Sequence, residues 1–115
     1  AGTDIVNFDA YNFMDKMTLY AAEAARFMEG GGALAWGIVP TSAEIKGESL
    51  DTLSERLEAG LAAFEAAGVD PALLRRQCLL TPSCGMGSLT VEETEMVFAR
   101  LRELSDKYMR LWENL

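Results

Sequence analysis

Ala33-Leu34-Ala35-Trp36-Gly37-Ile38-Val39 is an uninterrupted apolar run of strand length. A strand with one wet face alternates apolar and polar residues. A run without alternation fits a parallel strand covered on both faces. Gly30-Gly31-Gly32 stands before it and Pro40-Thr41-Ser42 after it, so the run is bounded at both ends. Glycines that precede a strand are not a phosphate loop, because phosphate-cradling glycines follow a strand and open a helix. Trp36 reads as core.

The flanking segments take their meaning from this strand. Asp4 to Phe8 is β-branched and aromatic and predicts a first strand, with the carboxylate of Asp9 at its end. Ala10 to Phe13 reads as a loop. Thr18 then reads as the N-cap of a helix over roughly 19–29, with Leu19, Ala22, Ala25 and Met28 on its apolar side. After the central strand, 43–49 reads as a polar loop. Leu50, Leu53, Leu57, Leu61 and Phe64 form the core-facing stripe of a helix that Gly68 stops. Asp70-Pro71 starts a short helix, and 77–81 is a third strand. Thr90 and Glu93 make a capping box for a last helix, whose buried stripe runs through Val97, Leu101, Leu104, Tyr108, Leu111 and Leu115.

The order is β-α three times with no hairpin signal, which implies parallel strands joined by helical crossovers. The 115 residues suffice for a single domain. A (β/α)8 barrel needs about 250 residues, so the expected fold is α/β: three consecutive β/α units, the C-terminal portion of a TIM barrel. The start at Ala1-Gly2-Thr3, running straight into a strand, is read as a cut from a longer protein. Unpaired strand edges would make such a piece self-associate or swap elements.

Composition narrows the function. The net charge is −8, which disfavours nucleic acid and anionic membranes as partners. No apolar run approaches the ~18 residues of a membrane span. Two cysteines without a secretion signal suggest reduced thiols in a cytoplasm. The chain has no histidine, so a histidine-based triad or histidine-based zinc site within it is excluded.

The chemistry-bearing positions lie where parallel strands end, since those ends build the site in α/β proteins. They are Asp9, the group at Thr41, and Cys84 in the loop Thr81-Pro82-Ser83-Cys84-Gly85-Met86-Gly87-Ser88-Leu89. Cys84 reads either as a ligand or nucleophile or as a buried small residue. Asp9 reads either as a ligand or as a loop cap. Cys78, beside Arg75 and Arg76, reads as packing. Gly85-Met86-Gly87-Ser88 lies between strand and helix, where an anion could be held.

Thr81-Pro82-Ser83-Cys84-Gly85-Met86, followed at once by a helix, resembles the Pro-Asp-Cys-Gly-Leu segment of the cobalamin-independent methionine synthase and uroporphyrinogen decarboxylase-like barrels. Asp4 to Asp9 resembles the family strand ending in an acidic zinc ligand, and Gly37-Ile38-Val39 resembles the strand between. The resemblance implies a zinc-dependent methyltransferase of methionine biosynthesis. It makes Cys84 and Asp9 metal ligands and Tyr11, Thr41, Ser83 and Met86 substrate contacts. A small-molecule thiol such as homocysteine would accept a methyl group from a folate or corrinoid.

The family's His-x-Cys ligand pair would fall upstream of Ala1, and Asp stands here for the usual Glu. The chain alone is therefore expected to be inactive and to hold zinc weakly or not at all. The competing expectations are a metal-free decarboxylase-like enzyme and a non-catalytic binding or assembly module.

Overall fold

The computed structural model describes residues 4–85 and 87–113. Three strands, β1 (Ile5–Phe8), β2 (Ala33–Val39) and β3 (Cys78–Pro82), form one parallel sheet in the order β1-β2-β3. Between and after them come helices α1 (Ala10–Thr18), α2 (Ala21–Glu29), α3 (Leu50–Ala66), α4 (Pro71–Arg76) and α5 (Val91–Trp112). The α/β alternation read from the sequence is the observed one. Among the described residues, no helix is long and apolar enough to cross a membrane.

Local chemistry accounts for most boundaries. Thr90 and Glu93 form the expected reciprocal cap of α5. Asp70 caps α4, whose first residue is Pro71. Ser49 and Thr52 cap α3 reciprocally. Gly31 and Gly68 sit at φ 101° and 104°, a left-handed backbone that favours glycine.

Several expectations are corrected. Residues 10–13 are helix, not loop, because Asp9 caps α1: its carboxylate accepts from Asn12 N at 3.0 Å and from Asn12 Nδ2 at 2.9 Å. Thr18 is consequently the last residue of α1 rather than a cap, and its hydroxyl donates back to Asp15 O. In the following helix Met28 is buried and Ala25 packs against the core as expected, but Ala21 and Ala24 are buried in place of Ala22, and Leu19 lies outside the helix and is 80 % exposed. In α5 the stripe holds through Val97, Leu104 and Tyr108, but Leu111 is exposed and Leu115 lies outside the described residues. The segment read as a polar loop carries a short 3₁₀ turn, Ala43–Gly47, which buries Ile45.

The core has an aromatic centre. Trp36 is fully buried, with Phe8 and Phe64 ring centroids 5.1 and 5.3 Å away. Leu53, Leu57, Leu61 and Phe64 bring α3 down onto it, as their spacing predicts. Pairing registers Phe8 with Trp36 and Trp36 with Leu80. By alternation, Phe8, Leu34, Trp36, Ile38, Cys78 and Leu80 therefore share one sheet face. All six belong to the core or pack against it, together with the buried residues of the helices.

Ile5, Asn7, Ala33, Ala35, Gly37, Leu79 and Thr81 share the other face and do not join that core. Ile5 is 51 % exposed and Leu79 43 %. The helices pack on the first face; on the second the outer strands are open, but Ala35 at its centre is 1 % exposed, so β2 itself is buried on both faces as its continuous apolar run suggested.

Gly37 shapes the open face. A Cβ there would lie 2.9 Å from Ser83 Cα, 3.0 Å from Phe8 O and 3.1 Å from Pro82 O. Backbone atoms from both outer strands thus crowd the place a side chain would take at this residue. Ladder register shifts between Gly37 and Val39 at the same place. Gly37→Ala should destabilise the protein by about 1–3 kcal/mol, since backbone must move to admit the methyl group. Gly47→Ala, where a Cβ meets nothing within 4 Å, should stay within about 0.5 kcal/mol of the parent. Urea denaturation of the two variants checks the contrast.

Candidate functional site

Because the strands are parallel, their C-terminal ends meet at one edge of the sheet. A shallow cleft of about 340 Å³ opens there, lined by Asn7, Phe8, Asp9, Thr81, Pro82, Ser83 and Cys84. Asp9 arrives at the end of β1 and Cys84 just beyond β3. Two residues 75 positions apart in the chain are thus neighbours along one cleft, as the parallel order anticipated.

The two groups differ in their commitments. Asp9 caps α1 through both carboxylate oxygens. A carboxylate offers about four lone-pair sites, so the cap leaves acceptor capacity on each oxygen. Cys84 is exposed. Its Sγ lies 2.7 Å from Thr41 Oγ1, which also lies 3.0 Å from Ser83 Oγ. Thr41 N donates to Ser83 Oγ at 3.2 Å, and Ser83 N donates to Val39 O at 2.8 Å. The Ser83-Cys84 turn is therefore tied to the end of β2 at several points.

The residues expected to touch substrate separate. Ser83 lines the cleft. Thr41 is buried beneath the Cys84 turn, with its hydroxyl engaged by Ser83 and Cys84. Tyr11 is not part of the cleft lining. Its hydroxyl donates to Glu48 Oε2 at 2.5 Å, and the Arg56 guanidinium lies 4.1 Å from its ring centre. Burial, reinforced by the bond to Glu48, raises the Tyr11 pKa well above the ordinary phenol value. Met86 lies outside the described residues.

The anion-binding expectation for the glycine loop meets a local competitor. The start of α5 is occupied by the chain's own carboxylate. Glu93 accepts from Thr90 N at 3.0 Å and lies 3.8 Å from Lys46 Nζ. Its pKa is lowered, chiefly by the backbone bond from Thr90 and further by the Thr90 hydroxyl bond and the Lys46 charge, against the opposing effect of burial.

Sequence reading missed the ring of groups around Tyr11. Glu48 accepts from Tyr11 and from Thr52 Oγ1 and lies 3.4 Å from Arg56. Arg56 in turn donates to Tyr11 O at 3.3 Å. Glu48, Thr52 and Arg56 follow one another at four-residue spacing, whereas Tyr11 comes from a separate segment whose approach no local motif announces.

As metal donors, Cys84 and Asp9 are side-chain types that zinc accepts. Among the described residues, no three His, Cys, Asp or Glu side chains gather to hold a metal. No protein-family model, no curated protein and no solved structure matches this chain.

The two thiols should behave differently. Cys78 is partly buried against the core, and burial pushes its thiol up to about 12, with Arg75 pulling the other way. In the native protein a disulfide reagent should label Cys84 at least about tenfold faster than Cys78. Cys84→Ser should remove the fast phase, and urea should release the slow one. A fast phase surviving in Cys84→Ser would place the reactive thiol at Cys78.

Proposed function

We propose that this chain forms three consecutive β/α units, the C-terminal portion of a TIM (β/α)8 barrel, and contributes Cys84 and Asp9 to a zinc-dependent thiol methyl-transfer site related to methionine synthase. The observation that carries the reading is the shared cleft. A carboxylate and a thiol from two different strands end at the C-terminal edge of one parallel sheet, which is where barrel enzymes place their chemistry. Sequential strand order and helices packed on one face are the features of a slice of barrel wall.

In this reading Cys84 and Asp9 supply two donors, and the others come from the rest of the barrel. Bound zinc would supply the positive charge that favours a substrate thiol as thiolate at neutral pH. Ser83 lines the same cleft. The methyl donor is a folate or corrinoid and the acceptor a small thiol such as homocysteine. By itself the chain is inactive. Its open face and two free strand edges lead it to associate with further copies or to exchange elements.

One observation favours a second reading, a non-catalytic binding or assembly module. Asp9 already has a structural task as the cap of α1. Asp9→Asn separates the two, because asparagine caps helices about as well as aspartate. In the protein with the complete barrel, Asp9→Asn should keep stability within about 0.5 kcal/mol while lowering zinc content. Cys84→Ser should lower zinc content and abolish thiol methylation. Unchanged zinc content in both variants would remove the ligand assignment and leave the module reading.

The chain by itself should scatter light as an oligomer at micromolar concentration. A monodisperse monomer would argue for a self-contained sheet rather than a slice of barrel.

A further inference from the structure

An open sheet ends at strands whose outer edges carry unpaired N–H and C=O groups. Here those strands are β1 and β3, and among the described residues neither has a further strand beside it. The two edges lack different things. On β1 it is cover. Val6 is level with Leu34, which places it on the face that carries the helices, yet it is 41 % exposed and does not join the core. Ile5, on the opposite face, is exposed as well.

Beside β3 it is a strand that is lacking. A groove of about 340 Å³ opens there, lined by Cys78, Leu79 and Leu80 in succession. Consecutive strand residues point to opposite faces, so a groove that touches all three follows the edge of the strand rather than either face. Its far wall is the end of α5, with Tyr108, Met109 and Trp112. Met109 is 67 % exposed, and Leu79 is exposed on the open face.

Charge points to the occupant. A net charge of −8 opposes contact between copies of the chain in general. The groove lining has no charged side chain, and neither has Ile5-Val6-Asn7-Phe8. Contact between these two surfaces escapes that repulsion. One chain thus carries an apolar strand without cover and an apolar groove without a strand.

We propose that the groove between β3 and α5 receives β1 of a second copy, parallel to β3. Val6 of the second copy then lies under Met109 and Trp112 of the first, and its Ile5 joins Leu79 on the open face. The contact is head-to-tail, each edge meeting the other kind of edge. It gives the association of further copies a definite surface. Because parallel strands end at one level, Asp9 of the second copy comes to the end of β3, where Cys84 follows. The chemical value of that meeting rests on the reading of Cys84 and Asp9 as donors; the junction itself does not.

The test is disulfide trapping in the full 115-residue chain carrying Cys78→Ala and Cys84→Ser, which removes both native thiols. Ile5→Cys and Leu79→Cys are placed in separate samples, mixed and mildly oxidised. A disulfide needs Cα atoms within about 7 Å of each other. Unbiased pairing gives the mixed 5–79 product at about twice the level of either symmetric product, and the head-to-tail junction should raise this to at least about tenfold. Asn7→Cys, on the same face as Ile5, covers a two-residue stagger between the strands. In the chain with its native thiols, Leu79→Lys should weaken association at least about tenfold by light scattering. Leu111→Lys, exposed on α5 outside the groove, should leave it unchanged. Mixed products at the unbiased level from both positions, a monodisperse monomer, or oligomers indifferent to Leu79→Lys would each overturn the junction. Zinc enters neither readout, so a failed metal assignment leaves the junction standing.

Discussion

The largest aromatic side chain of the core and a residue with no side chain stand next to each other in β2, and most of the structure depends on that pair. Trp36 points into the helices, where Phe8 and Phe64 close around it. Gly37 points the other way, and the absence of a Cβ lets Phe8 O and Ser83 Cα approach across the sheet. The first residue fixes the helical layer to the strands. The second leaves room for backbone from both outer strands at the place its side chain would take. Asp9 and Cys84 follow the two outer strands and line one cleft.

The parts of the fold legible in sequence were those specified by nearest neighbours. The apolar run of β2, the stripe of α3 and the Thr90–Glu93 box are local patterns, and each formed where its residues predicted. Helix α1 was not legible. Its kink at Phe13, with φ −126° and ψ 28°, interrupts regular periodicity. Its support is largely tertiary. Met14 reaches Gly60 of α3, where an added Cβ would come within 2.3 Å of Met14 Cε and 3.0 Å of Trp36 Cζ3. Tyr11 is held by Glu48 and Arg56 from beyond β2. A helix supported this way has its explanation more than thirty residues away.

The same distinction applies at the site. That Asp9 and Cys84 would share an edge followed from parallel strand order alone. That Thr41 would be drawn beneath Cys84 did not follow, because it depends on the register between β2 and β3 and on the bulge at Gly37–Val39. Glu93 shows the converse. Its place in a capping box was plain from sequence. Its consequence for the glycine loop emerged only when the carboxylate was seen occupying the start of α5 with Lys46 beside it.

Asp9 is where the structural and chemical demands meet, and they are compatible. Helix capping draws on the acceptor strength of an ionised carboxylate, and a metal draws on the same property. The two bonds from Asn12 leave lone pairs on both oxygens and fix the plane of the group. Placed at the end of β1, the Asp9 carboxylate reaches the first turn of α1 while lining the cleft. Asp9 is thus oriented by a helix start, and the Ser83-Cys84 turn is tied to the end of β2 by the Ser83 N–H bond to Val39 O and the Thr41 N–H bond to Ser83 Oγ.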